Sequence, residues 1–219
     1  MNLALSNNKA VEKHLRLILL LALALRLYGL TAFSLSNDEL SALSRLQFNS
    51  FSLLIHEGVY PDFHPAGTQV FMYIWTWVFG YSEWAVRMPF ALMGVVSVYL
   101  VYRIGRALFS ESTGLLASGA LAVLAFPLLY SQIARPYSPG LMCSMASVFF
   151  LIRFLGLDRN RSGEPVSKGN WSDVLGFVVS VSACMYTHYF SFIFAGLVCL
   201  IGLLFLDMNL KVIFCPHLF

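Results

Sequence analysis

Two neighbouring carboxylates, Asp38 and Glu39, follow the first apolar run of the chain. An acid at a membrane surface can take a proton from an attacking hydroxyl, and a pair can contribute to a divalent-metal site. The same residues also suit the opening turn of a helix, because Ser36 and Glu39 have capping-box spacing. Further along, Asp62, His64 and Pro65 form either the polar wall of a site or an ordinary turn before a helix. Glu83 and Arg87 flank the start of one apolar run, and Arg135 stands at the end of another. A guanidinium there calls for an anionic partner, whether a lipid-linked phosphate, a headgroup or a carboxylate. His188 and Tyr189 occupy the tip of the last apolar hairpin, as site residues or as an interfacial polar pair. Arg26 is embedded in the first run, at a cost of about 2.5–3.5 kcal/mol on insertion scales, and needs an acid, a phosphate or another polar partner. No dinucleotide, P-loop, zincin or nucleophile-elbow motif occurs, so those enzyme classes lack support.

The elements that must position these groups are hydrophobic. The chain of 219 residues is 58% hydrophobic and 11% charged, with mean hydropathy +0.74. Soluble domains carry about 25% charged residues, so the surplus apolar surface calls for lipid. The net charge of +3 comes from small clusters, with no basic stripe suited to nucleic acid. Cys143, Cys184, Cys199 and Cys215 form no CxxC and read as packing residues rather than as disulfides or zinc ligands. Lys9, Lys13 and Arg16 precede the first run, which reads as an uncleaved first helix because Arg26 interrupts it and more runs follow.

Apolar runs fall at 15–33, 66–80, 84–104, 112–131, 136–156, 172–189 and 190–207. A crossing needs about 20 residues, and 66–80 is short. If it crossed, most of the Lys and Arg in loops would lie outside the cell. If it lies on the outer surface, most lie inside, as the positive-inside bias requires. The expectation is therefore an all-α, polytopic membrane protein with six transmembrane helices and a cytoplasmic N-terminus over 1–14. The transmembrane module spans 15–207, with one long outer loop at 34–83. That loop is expected to hold two juxtamembrane helices. Leu40, Leu43, Leu46, Phe51 and Leu54 recur near helical spacing over 38–55. The second, 66–80, carries Phe71, Tyr73, Trp75, Trp77 and Phe79. The inner 157–171 loop reads as a polar turn without chemistry. Asp38, His64, Arg87, Arg135 and His188 all come to the outer face.

Six strings in this order resemble C-type glycosyltransferases that use polyprenyl-phosphate sugars, in the clan of protein O-mannosyltransferases and aminoarabinose transferases. They are Asn37-Asp38-Glu39, Asp62-Phe63-His64-Pro65, the Phe79–Pro89 stretch around Glu83 and Arg87, Val101–Phe109, Tyr130–Tyr137, and Thr187-His188-Tyr189-Phe190. The resemblance implies an inverting transferase on the outer face of a bacterial inner membrane. Its donor would be a polyprenyl-phosphate sugar and its acceptor a hydroxyl of a glycan, lipid or protein. It implies Asp38 as general base with Glu39 assisting or orienting it, and Arg87 and Arg135 on the donor phosphate. His64, Glu83, Tyr137, His188 and Tyr189 would line the cavity. No redox cofactor follows, and a divalent metal is compatible but not established by two adjacent acids. The chain departs from the pattern where Ala66 follows Pro65 in place of a second proline, and where Ile133 stands in place of an acid. It ends near the close of the sixth span and reads as the N-terminal half of such an enzyme, with 208–219 a truncated tail. The competing expectation is an inactive lipid-binding or assembly protein on the same scaffold. A transporter would need polar groups at mid-bilayer in several spans, and apart from Arg26 these have almost none.

Overall fold

A computed structural model describes residues 2–62, 64–158 and 170–214, with side chains described between 9 and 206. Every regular element among them is helical: α1 (Asn2–Leu27), α2 (Asn37–Ser44), α3 (Phe51–Leu53) running into a π turn (Leu54–Val59), α4 (Ala66–Phe79), α5 (Glu83–Leu108), α6 (Glu111–Val123), α7 (Ala125–Tyr130), α8 (Tyr137–Phe154), α9 (Trp171–Thr187) and α10 (Tyr189–Phe214). Residues 159–169 of the inner loop and 215–219 of the tail lie outside the described residues; 208–214 continue α10. Helix also extends back to Asn2, so residues 2–14 are helical and continuous with the first apolar run in α1.

The bundle is built on α5, which packs against α1, α6 and α8, while α8, α9 and α10 pack together. Among the described residues three helices are long and apolar enough to cross a membrane: Glu83–Leu108, Tyr137–Phe154 and Tyr189–Leu206. Trp171–Thr187 is apolar but shorter. Large apolar side chains such as Leu197, Leu203 and Leu204 remain exposed on α10, a pattern that lipid relieves and water does not. Cys143 and Cys184 are buried and free, as packing residues should be.

Two expected helices prove to be broken. The 112–131 run divides at Leu124, whose ψ of 127° leaves the helical range. Restarting at Ala125 puts Pro127 in a first turn, where its missing N–H removes no helical bond. The expected surface helix over 38–55 stops at Ser44 and resumes at Phe51, where Ser50 accepts a hydrogen bond from the Leu53 N–H at 3.3 Å. The break folds Leu43, Leu46 and Leu54 into one core cluster with Met72, Val86 and Phe90. Leu40 and Phe51, placed on the same apolar face by spacing alone, stay about half exposed at 50% and 52%.

The expected helix over 66–80 is present as α4. Its 14 residues span about 21 Å at 1.5 Å per residue, short of a bilayer core of about 30 Å. It packs against α5 and α9. Pro89 has no N–H for the carbonyl of Ala85 one turn earlier in α5, and the Trp75 indole N–H donates to that oxygen at 2.8 Å. Gly67 brings the start of α4 against α9, since a Cβ there would lie 2.4 Å from the Tyr186 carbonyl oxygen. Gly67→Ala is therefore expected to lower stability by about 1–3 kcal/mol, the usual range for overpacking. Thermal unfolding in detergent measures it.

Candidate functional site

Glu39 is fully buried at the base of α2. Its carboxylate closes the expected capping box by accepting from the Ser36 N–H at 2.9 Å. It also accepts from Arg87 Nε and Nη2, each at 2.8 Å, and from the Ala134 N–H at 2.9 Å. Burial alone would raise its pKa. The hydrogen bonds from Arg87, Ala134 and Ser36 outweigh this and hold it at about 2. One carboxylate thus ties α2 to α5 and to the segment between α7 and α8.

Arg87 was expected on a donor phosphate, and the structure uses it otherwise. Besides Glu39, it donates through Nη1 to the Leu30 and Phe33 carbonyls at 2.9 and 2.8 Å, and through Nη2 to the Ser34 carbonyl at 3.1 Å. A guanidinium has five N–H donors, and these bonds engage all of them. Arg87 anchors the chain between α1 and α2 and has no donor left for a ligand in this conformation.

Asp38, one residue before Glu39, points the other way. It is exposed and lines an open cleft of about 1440 Å³ together with Tyr28, Phe33, Tyr130, Gln132 and Tyr137. Helical spacing explains the contrast, because adjacent residues diverge by about 100° around a helix. Arg135 reaches α2 from the far side and donates through Nη1 to the Asp38 carbonyl at 3.3 Å. Its Nε is buried and has no partner among the described residues.

Arg135 lines a second, narrow cleft with Arg45, Asp62, His64 and Thr68. There Asp62 pairs with Arg45 and with His64 Nδ1, the latter at 3.0 Å. Burial would raise the Asp62 pKa, but its bonds to His64 and Arg45 lower it. Thr68 Oγ1 is buried there without a partner among the described residues. A third, aromatic cleft of about 970 Å³ holds Tyr130, Tyr137, His188 and Phe190. Burial lowers the His188 pKa, with His64 and Arg135 adding to the effect, which favours neutral imidazole. Tyr137 lines the first and third clefts, and Pro136 the second and third, so all three meet around residues 135–137.

The structure therefore gathers Asp38, Arg135, Tyr137, His64 and His188 around one short segment. Glu83 instead sits in the first turn of α5, which Ser82 caps through the Ala85 N–H, and Tyr189 is 57% exposed at the start of α10. Neither lines these clefts. Sequence reasoning missed Thr68, Arg45 and the Ala134 N–H. A backbone donor carries no residue-type signal, and Thr68 reads as an ordinary helix residue. Among the described residues no three His, Cys, Asp or Glu converge as a metal-ligating cluster.

No curated protein and no solved structure matches the chain significantly. The family model for dolichyl-phosphate-mannose-protein mannosyltransferase matches residues 63–215. The match takes in Arg87, Arg135 and His188, and it begins beyond Asp38 and Glu39. It covers well over half of the chain, and the helical architecture agrees with it, so this chain belongs to the dolichyl-phosphate-mannose-protein mannosyltransferase family of C-type glycosyltransferases.

Proposed function

We propose that the chain carries the site of a membrane glycosyltransferase that moves a sugar from a polyprenyl-phosphate donor to a hydroxyl of a glycan, lipid or protein. The observation that carries this reading is the opposition of Asp38 and Arg135. Asp38 is exposed and has no side-chain hydrogen bond among the described residues, and Arg135, which reaches its backbone carbonyl, has a buried Nε with no partner among them. On this reading the base and the anion site belong to neighbouring clefts.

In the reaction, the Asp38 carboxylate takes the proton of the acceptor hydroxyl, whose oxygen forms a bond to the anomeric carbon. The bond from that carbon to the phosphate oxygen breaks, and its electron pair leaves on the lipid phosphate. Attack opposite the leaving group inverts the anomeric configuration. Arg135 stabilises the charge that develops on the departing phosphate. Thr68 and His64 share its cleft and line the anion's surroundings, while Tyr137 and His188 line the path beside it. Glu39 orients Asp38 by fixing the first turn of α2, and Arg87 serves that anchor instead of the phosphate. On this reading α1, α5, α6 with α7, α8, α9 and α10 make six crossings, and the site faces outward from a bacterial inner membrane, as the positive-inside bias of the loops supports. The aromatic α4 then lies at the interface.

Purified chain in nanodiscs, supplied with polyprenyl-phosphate mannose labelled in the sugar and with hydroxyl acceptors, is expected to release free polyprenyl phosphate. Arg135→Gln is expected to raise the donor KM about ten-fold or more, as loss of a charge-assisted phosphate contact should. Wild-type chain that binds the donor lipid without turnover would overturn the catalytic reading and leave a lipid-binding protein.

A further inference from the structure

Arg26 and Gln132 take no part in the chemistry above, yet they make some of the longest-range polar contacts in the bundle. Arg26 is 1% exposed and has no carboxylate partner among the described residues. Its Nη1 donates to the Ala22 and Ala122 carbonyls, both at 3.2 Å, and its Nη2 to the Leu121 carbonyl at 3.4 Å. Leu121 and Ala122 belong to the last turn of α6, where carbonyls lose their helical partners. In a bilayer no water replaces those partners. A cation there also meets the negative end of the helix dipole. Arg26 is thus what allows the 112–131 run to break at Leu124.

Gln132 does the reverse for α1. Its Nε2 donates to the Leu25, Arg26 and Tyr28 carbonyls at 3.1, 3.2 and 2.9 Å. Those groups belong to the C-terminal end of α1 and the turn just after it. Gly94 of α5 makes room for the junction, since a Cβ there would lie 2.7 Å from both Arg26 Nε and Ser131 Cβ. The chain from Ser131 to Pro136 is outside regular helix, so these side-chain ties do what a helical ladder does elsewhere. Two residues beyond Gln132, the Ala134 N–H meets Glu39, and the next residue is Arg135.

We propose that Arg26 and Gln132 are positioning residues for the transfer site, each capping the helix end carried by the other's part of the chain. Together they set the segment that presents Ala134 to Glu39 and Arg135 to the donor phosphate. The kinetic consequence rests on the reading of Arg135 as the phosphate ligand.

The test uses the full chain in nanodiscs with Gln132→Met, which keeps the side-chain length and removes the amide donors. Amide exchange at Ala134 is expected to rise about ten-fold while the middle of α8 keeps its protection, as a local opening should. The donor KM is expected to rise several-fold with kcat nearly unchanged. Combined with Arg135→Gln, the substitution should add nothing further to KM, because it acts through Arg135. Unchanged exchange at Ala134, or additive effects on KM, would overturn the proposal. If Gln132→Met does not fold, Gln132→Asn retains the amide but withdraws it by one methylene, and the same readings apply. If Arg135→Gln alone leaves KM unchanged, the phosphate reading fails, and exchange at Ala134 still decides the positioning role.

Discussion

Glu39→Gln is expected to lower stability by about 3–5 kcal/mol, the usual consequence of removing one partner from a buried ion pair. The neutral amide leaves the Arg87 guanidinium buried without its countercharge. It also puts an amide donor where Arg87, Ser36 and the Ala134 N–H all need an acceptor. Three elements separate at once, because α2, α5 and the 134 segment share this carboxylate. Replacing both partners, as Glu39→Gln with Arg87→Met, should cost less than the sum of the single changes, since no buried charge is then stranded. Thermal unfolding of the four proteins at neutral pH measures this coupling, and additive losses would argue against the pair as a unit. The pH dependence has a definite sign. The folded-state pKa of Glu39, about 2, lies below the ordinary value of 4.5. Its contribution is therefore complete above about pH 4.5 and is lost as pH falls toward 2. Wild-type chain should lose stability across that window more steeply than the Glu39→Gln variant.

Asp38→Asn is expected to have the opposite profile. Asp38 is exposed and makes no side-chain bond among the described residues, so stability should stay within about 0.5 kcal/mol of wild type. The rate should fall by about 10²–10⁴, the range assigned to general base catalysis, with donor KM little changed. The two adjacent acids thus separate by assay, one through melting and the other through turnover. Transfer that survives Asp38→Asn at the wild-type rate would remove Asp38 from the base position. It would also direct attention to His64, which Asp62 holds by its Nδ1 at the edge of the neighbouring cleft.

What could be read without coordinates followed from local rules. Apolar run lengths marked the long helices, and the short aromatic run at 66–80 marked α4. Ser36 and Glu39 announced the start of α2, because a capping box is satisfied within four residues. The surface helix over 38–55 was misread because spacing reports which residues are apolar, not where the chain folds back on itself. Leu43, Leu46 and Leu54 are buried together only because the helix stops between them. The break at Leu124 was equally invisible, since the carbonyls it frees at Leu121 and Ala122 are met by Arg26, almost a hundred residues away.

The order of residues along this chain determined that it is helical and apolar, and that acids, arginines and histidines recur where its hydrophobic runs end. Family membership is also carried by that order, through the match over 63–215. Tertiary structure decided the division of labour among those groups. Asp38 and Glu39 have nearly the same chemistry and adjacent positions, yet one faces an open cleft and the other is sealed against Arg87 and Ala134. Arg87 and Arg135 look equally available in sequence, and only one retains an unpartnered Nε. Local pattern specifies which groups lie near a helix end. Whether a charge is free to act depends on how many donors and acceptors the distant chain brings to it, and that is settled only when the helices pack.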